Sequence, residues 1–120
     1  MEYKYINTEY LDSVSGGDKG VILEIVSMFR EQTDEMYIEM KGLLAEKKYH
    51  NLGLLAHKAK SSVAIMGMSD LAAMLKDFEL MAKENRDTEK YESFVARFRS
   101  DTSEALKELD HLVNKLQNNS

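Results

Sequence analysis

The chain has no proline in its 120 residues and only six glycines, so few positions force its backbone out of a helix. Apolar residues recur at intervals of three and four between short turn signals, which indicates helices, and no segment alternates like a strand. Amphipathic helices joined by short turns favour antiparallel neighbours. We therefore predict an all-α fold, an up-down-up-down antiparallel four-helix bundle with a short extra N-terminal helix, in a single domain over residues 1–120.

Turn and capping residues mark the expected helix ends. Ser15-Gly16-Gly17-Asp18 indicates a turn followed by an N-cap, and Thr33-Asp34 is a second cap signal. Ser69-Asp70 is expected to cap the helix that follows Gly67. The first, short helix and the last three helices are predicted over about 8–13, 50–66, 70–84 and 88–116.

Composition excludes several classes of protein. The absence of cysteine excludes disulfides and thiolate metal sites. No stretch approaches the roughly 20 apolar residues of a membrane helix, and the N-terminal residues lack the form of a signal peptide. A net charge of -5 disfavours binding to nucleic acid. We expect a soluble, cytoplasmic protein that binds neither membrane nor nucleic acid, and its charged surface with short turns suggests a monomer.

The predicted helix over 50–66 places His57 on its outer side. At about 100° per residue, His57 lies about 160° from the centre of the apolar stripe and should face water. The charged residues from Lys47 to Ala64 are four lysines, without Asp or Glu, so this is a locally basic segment of an acidic chain. The stripe itself consists of Leu52, Leu55, Ala59, Ser62, Val63 and Met66.

Small residues and a lysine are the helical neighbours of His57. A neutral imidazole is a nucleophile near neutral pH, and Lys60, three residues on, would offset the charge of a phosphoryl group on the ring. Small neighbours would leave room for a partner, and apolar residues on the flank could form a docking patch. The expected partner-binding residues are Gly53, Leu54, Lys58, Ser61, Ala64 and Ile65.

The segment His57-Lys58-Ala59-Lys60-Ser61-Ser62, followed by Gly67 and then Phe78-Glu79, resembles the signature of histidine-containing phosphotransfer (HPt) domains. In that family a phosphorylated His is followed by a Lys three residues on, a small residue and Ser. A Gly near the end of the same helix and a Glu or Gln on the next complete the pattern. The chain departs from it twice, with Ser61 where Gly is usual and Ala59 where Leu is usual.

The resemblance implies a function and a set of partners. His57 would take a phosphoryl group from the phosphoaspartate of one receiver domain and pass it to an aspartate of another. Glu79 would accept a hydrogen bond from the inner N–H of the ring and fix its tautomer. The partners would be response-regulator receiver domains and hybrid sensor histidine kinases. The chain would be a carrier, not an enzyme, with no metal or cofactor of its own, because the receiver would supply Mg²⁺.

Three other interpretations stay open. A metal-binding bundle could use His50, His57 and His111 as ligands, although no Glu-x-x-His pair of the di-iron type occurs. A helical adaptor with a degenerate motif would not be phosphorylated at all. A P1-type phosphotransfer domain of a chemotaxis-type kinase would use the same histidine but receive its phosphoryl group from ATP on a kinase domain.

Overall fold

The computed structural model describes residues 3–118, and this part of the chain is helical without any strand, which confirms the all-α prediction. The helix α3, which carries His57, packs most extensively against α4. The helix α2 contacts both α3 and α5, α4 contacts α5, and α1 lies on α2. The helices are α1 (Glu9–Ser15), α2 (Lys19–Ala45), α3 (Tyr49–Ile65), α4 (Ser69–Lys83) and α5 (Tyr91–Asn118), with a 3₁₀ turn at Thr88–Lys90.

The apolar stripes of the helices meet in one core. Leu52, Ala59 and Val63 of α3 are completely buried, as their helical spacing predicts. The ring of Phe78 on α4 lies 5.5 Å from that of Tyr91, and the Tyr91 hydroxyl donates to the carbonyl oxygens of Met81 (2.7 Å) and Arg86 (2.6 Å). These bonds satisfy a buried polar atom while its ring joins α4 to α5.

The cap predicted at Thr33-Asp34 is wrong, because α2 runs unbroken through these residues from Lys19 to Ala45. Thr33 is buried, and its hydroxyl donates to the carbonyl oxygens of Phe29 (2.9 Å) and Arg30 (3.2 Å) in the preceding turn. A threonine hydroxyl that bonds back to its own helix needs no helix end. The same local pattern that marks a cap can therefore lie inside a helix.

The turn between α1 and α2 forms as predicted. Gly16 and Gly17 have φ of 61° and 81°, and the Asp18 side chain accepts a hydrogen bond from the Val21 N–H at 3.2 Å. The prediction for α4 was less accurate, since that helix begins at Ser69 and its N-cap is Met68, without a side-chain capping bond. Within residues 3–118, no helix combines the length and the apolar character of a membrane span.

Replacing Gly67 with alanine should destabilise the fold. Gly67 has a φ of 73°, and a Cβ there would lie 2.5 Å from the Asn7 Cβ and 2.7 Å from the Asn7 carbonyl oxygen. The left-handed backbone alone costs about 1–2 kcal/mol for a residue with a side chain, and the clash with Asn7 adds to it. Urea unfolding measures the effect. The matched control is Gly42→Ala in α2, where a Cβ meets open space, so the free energy of unfolding should rise by about 0.5–1 kcal/mol. A Gly67→Ala protein as stable as wild type would contradict this account of the turn.

Candidate functional site

The site is built where α3 and α4 pack closely together, at Gly53. A Cβ at this position would lie 3.0 Å from the Lys83 Cγ, 3.1 Å from the Glu79 carbonyl oxygen and 3.2 Å from the Lys83 nitrogen. The absence of a side chain thus lets the backbone of α4 approach α3. Gly53 is buried in this contact, so it does not lie on the exposed surface that we expected it to share with His57.

The close approach brings Glu79 of α4 to His57 of α3. The Nδ1 atom of His57 lies 3.0 Å from both carboxylate oxygens of Glu79. The His57 side chain is 60% exposed, whereas that of Glu79 is only 10% exposed. The structure therefore brings together the histidine and the carboxylate that the sequence predicted, with the ring reaching solvent and its partner held in the helix contact.

Two lysines share the carboxylate of Glu79. The Lys83 ammonium lies 2.7 Å from Oε2, and the Lys60 ammonium lies 3.7 Å from Oε1. The hydrogen bond from Lys83 is the main cause that lowers the pKa of Glu79 to about 2; burial opposes it, and the hydrogen bond and charge of His57 support it. Glu79 is thus ionised at neutral pH.

The ionised carboxylate determines which nitrogen of His57 carries the proton. A carboxylate can only accept hydrogen bonds, so the Nδ1 atom facing it must be the donor. In the neutral ring, Nε2 then keeps its lone pair. The arrangement presents an exposed imidazole whose Nε2 is nucleophilic and whose ring is oriented by the hydrogen bond of Nδ1 to Glu79.

The other predicted residues of α3 lie where the helix wheel placed them. Leu54, with half of its surface exposed, and Ile65 are apolar residues on the outside of the helix. Lys60 is partly buried because it turns towards Glu79. The remaining exposed members of the expected partner-binding set are Lys58, Ser61 and Ala64.

Lys83 is the residue of the site that the sequence did not single out. It stands four residues after Glu79, and residues at this spacing are neighbours on one helix face. That spacing was the available signal, because a Glu four residues before a Lys is a favourable helical pair. The structure shows that Lys83 makes the shortest contact of the site.

The other two histidines are placed away from this constellation. The His111 Nδ1 atom lies 3.1 Å from the hydroxyl of Tyr3, and His50 lies in the first turn of α3. Among residues 3–118, no three His, Cys, Asp or Glu side chains come together in a group that could hold a metal ion. The metal-binding interpretation therefore gains no support from the geometry.

An apolar cleft of about 240 Å³ opens beside the C-terminal half of α3. Four exposed apolar residues line it: Tyr10 and Val14 of α1, Met28 of α2 and Ile65 of α3. Seven large apolar residues are exposed in the described part of the chain, so more than half of them lie in this cleft. Such clustering is typical of an interaction surface.

Replacing Lys83 with methionine should raise the pKa of Glu79 from about 2 towards its ordinary value, because the largest stabilising contact of the carboxylate is lost. Titration of the Glu79 side-chain carbon by NMR measures it. A depressed pKa contributes stability above the unfolded value near 4.5, and that contribution disappears as the pH falls towards 2. The variant should therefore be less stable than wild type at neutral pH, and it should lose less stability than wild type as the pH falls from 4.5 to 2.

The matched control for this experiment is Lys107→Met on α5. Lys107 pairs with the exposed Glu104 at 3.1 Å, so its removal also deletes one surface ammonium but leaves Glu79 untouched. The control should keep the pKa of Glu79 near its wild-type value. If Lys83→Met leaves that pKa unchanged as well, Lys83 is not what keeps the carboxylate ionised.

The comparison with known protein families agrees with the geometry. The model of the Hpt domain family matches residues 24–119, a range that includes His57, Lys60, Glu79 and Lys83. No curated protein and no solved structure gives a significant match. Hpt domains are carriers in histidine phosphotransfer of two-component signalling, not enzymes, and they interact with receiver domains and kinases. The resemblance found in the sequence is thereby confirmed: the chain belongs to the Hpt domain family.

Proposed function

We propose that this protein is a phosphorelay intermediate that carries a phosphoryl group on Nε2 of His57 between the aspartates of two receiver domains. The observation that supports it best is the contact of the His57 Nδ1 atom with ionised Glu79 at 3.0 Å. This contact keeps the proton on Nδ1 and the lone pair on Nε2. The ring is also 60% exposed, so a partner can reach it.

The transfer is a displacement at phosphorus. The Nε2 lone pair of His57 attacks the phosphorus of a partner's phosphoaspartate, and a P–N bond forms as the P–O bond to that aspartate breaks. The electron pair of the broken bond returns to the aspartate as a carboxylate. No proton needs to leave the ring, since Nδ1–H stays bonded to Glu79. The reverse sequence delivers the group to the second receiver.

The lysines balance the charge that the phosphoryl group brings. Lys60 lies three residues after His57 and 3.7 Å from Glu79, so its ammonium is held at the site. It can offset negative charge on a phosphoryl group without being consumed. Mg²⁺ would belong to the acidic site of the receiver, and the chain itself is proposed to need no cofactor.

The proposed docking surface combines the exposed face of α3 with the apolar cleft. Ile65 belongs to both, and Ser62, in the turn after His57 and Lys58, also lines the cleft. A receiver domain of a response regulator or of a hybrid sensor kinase would cover these residues while its aspartate reaches His57. The remaining exposed residues of this face are Leu54, Lys58, Ser61 and Ala64.

The proposed carrier is one domain over residues 1–120, with helices α2 to α5 as an up-down-up-down antiparallel bundle. The short turns between α2, α3 and α4 support this order, because consecutive helices that pack together across such turns must reverse direction. We further propose a monomer in the cytoplasm. The charged surface and the cysteine-free sequence support these two assignments.

Replacing His57 with glutamine should abolish phosphorylation, because no other side chain of the site offers a free imidazole nitrogen. The protein is incubated with a panel of receiver domains that carry labelled phosphoaspartate, and acid-labile, base-stable label on the chain is counted. The variants His50→Gln and His111→Gln are matched controls and should keep the wild-type label. Label that persists in His57→Gln would overturn the assignment. Label that forms only with a kinase and ATP, and with no receiver, would assign the chain to the P1-type class instead.

Replacing Ile65 with aspartate should slow transfer from a receiver by about tenfold, since a buried apolar contact of the interface is worth roughly 1–2 kcal/mol. Labelling by phosphoramidate, a small donor that needs no docking surface, should stay near the wild-type rate. Ile38→Asp is the matched control, because Ile38 is equally apolar and more exposed, but does not line the cleft. Equal rates for both variants with a receiver would exclude the cleft from the docking surface.

A further inference from the structure

The segment before α1 is fastened to α5 mainly by the side chain of Glu108, in addition to the contact of Tyr3 with His111. The backbone N–H of Lys4 donates to Oε2 of Glu108 at 2.7 Å, and those of Tyr5 and Ile6 donate to Oε1 at 2.8 and 3.1 Å. We call residues 3–8 the strap. Three consecutive amides on one carboxylate are charge-assisted hydrogen bonds, which are stronger than neutral ones.

The strap connects α1 to the end of α3, and both of these helices line the apolar cleft. Its Asn7 N–H donates to the carbonyl oxygen of Met66 at 2.9 Å, at the end of α3, and its Ile6 is buried in the core. The helix α1 begins two residues later, at Glu9, and its Tyr10 lines the same cleft as Ile65 of α3. The position of the strap therefore determines where the first turn of α1 lies relative to α3.

The helix α1 depends on such anchors because it has only seven residues. A helix this short is not stable alone in water. Leu11 anchors its underside, with 1% of its surface exposed, and the turn at Gly16 and Gly17 ties its C-terminal end to α2. The strap is the anchor at the other end, next to Tyr10, and Glu108 provides most of its polar contacts.

The strap and α1 lie before the residues that the family model matches. The family match begins at residue 24, whereas Glu108 lies within it. A residue within the matched range thus holds the segment before it against the proposed docking surface. Within residues 3–118, the carboxylate of Glu108 forms no ion pair, and its hydrogen-bond partners are backbone amides of the strap.

We propose that Glu108 is a positioning residue for receiver docking: by clamping the strap it holds Tyr10 and α1 in place as one wall of the cleft. This inference rests on the proposed function, since the cleft is taken to bind the receiver. Glu108 touches neither His57 nor Glu79 and acts only through the strap. Its loss should weaken binding of the receiver and leave the reactivity of the ring unchanged.

The test compares Glu108→Ala with Glu104→Ala, a matched control one turn earlier on α5 whose carboxylate pairs with Lys107. Amide hydrogen exchange at Lys4, Tyr5 and Ile6 reports whether the strap is released. The rate of labelling by phosphoramidate measures the reactivity of the His57 ring. Docking is measured by the half-saturating concentration of the receiver domain that is most active with the wild-type protein. If release lowers the docked fraction of α1 to about one fifth, the half-saturating receiver concentration rises about fivefold. The maximal transfer rate and the phosphoramidate rate should stay within about twofold of wild type.

A second variant, Glu108→Gln, separates the clamp from a general loss of folding. The glutamine side chain keeps one oxygen that can accept the hydrogen bonds from Tyr5 and Ile6. The amide exchange rates of the strap and the half-saturating receiver concentration of this variant should therefore lie between those of wild type and Glu108→Ala. Strap release without any change in half-saturating concentration would overturn the inference alone. Amides that stay protected in Glu108→Ala would overturn it too. Wild-type protein that exchanges phosphoryl groups with no receiver would overturn the proposed function, and this inference with it.

Discussion

The ionised carboxylate of Glu79, held in the contact between α3 and α4, is the interaction on which the rest of the site depends. A charge with only 10% of its side chain exposed is costly unless it is paired. Lys83 at 2.7 Å and the His57 N–H at 3.0 Å provide that pairing. The contact with His57 requires α4 to lie close to α3, which the bare backbone of Gly53 permits, whereas Lys83 reaches Glu79 along α4 itself. The packing of two helices thus determines the orientation of the ring.

The same contacts give the site a local charge opposite to that of the chain. Two ammonium groups, those of Lys60 and Lys83, share one carboxylate, so the three side chains sum to +1 although the chain carries -5. Charges farther than about 8 Å across solvent are largely screened at physiological ionic strength. The electrostatic interaction of an incoming phosphoryl group with the local charge of the site is therefore stronger than its interaction with the net charge of the chain. Of the four lysines in the basic segment seen in the sequence, Lys60 contributes to this local charge.

Much of the fold, and the exposed position of His57, could be predicted from periodicity and turn residues, because both are local properties. The role of Glu79 was implied by the resemblance to the HPt family. The spacing of Leu52, Ala59 and Val63 located the buried side of α3 and placed His57 opposite. Gly53 was placed incorrectly because a helix wheel gives an angle but not the distance to the next helix. The cleft could not be predicted either, since it depends on how α1 sits against α2 and α3. Lys83 was recognisable only once Glu79 was known to need a counter-ion.

The choice of glutamate at position 79 restricts the chemistry more tightly than an amide would. A glutamine side chain can either donate to Nδ1 or accept from it, so it tolerates both tautomers of the ring. A carboxylate only accepts, which excludes the tautomer whose proton sits on Nε2 and whose outer nitrogen has no lone pair for phosphorus. That restriction holds only while Glu79 is ionised. Lys83 therefore acts on the reaction through Glu79: it favours the charge of the carboxylate, and that charge keeps the lone pair on Nε2.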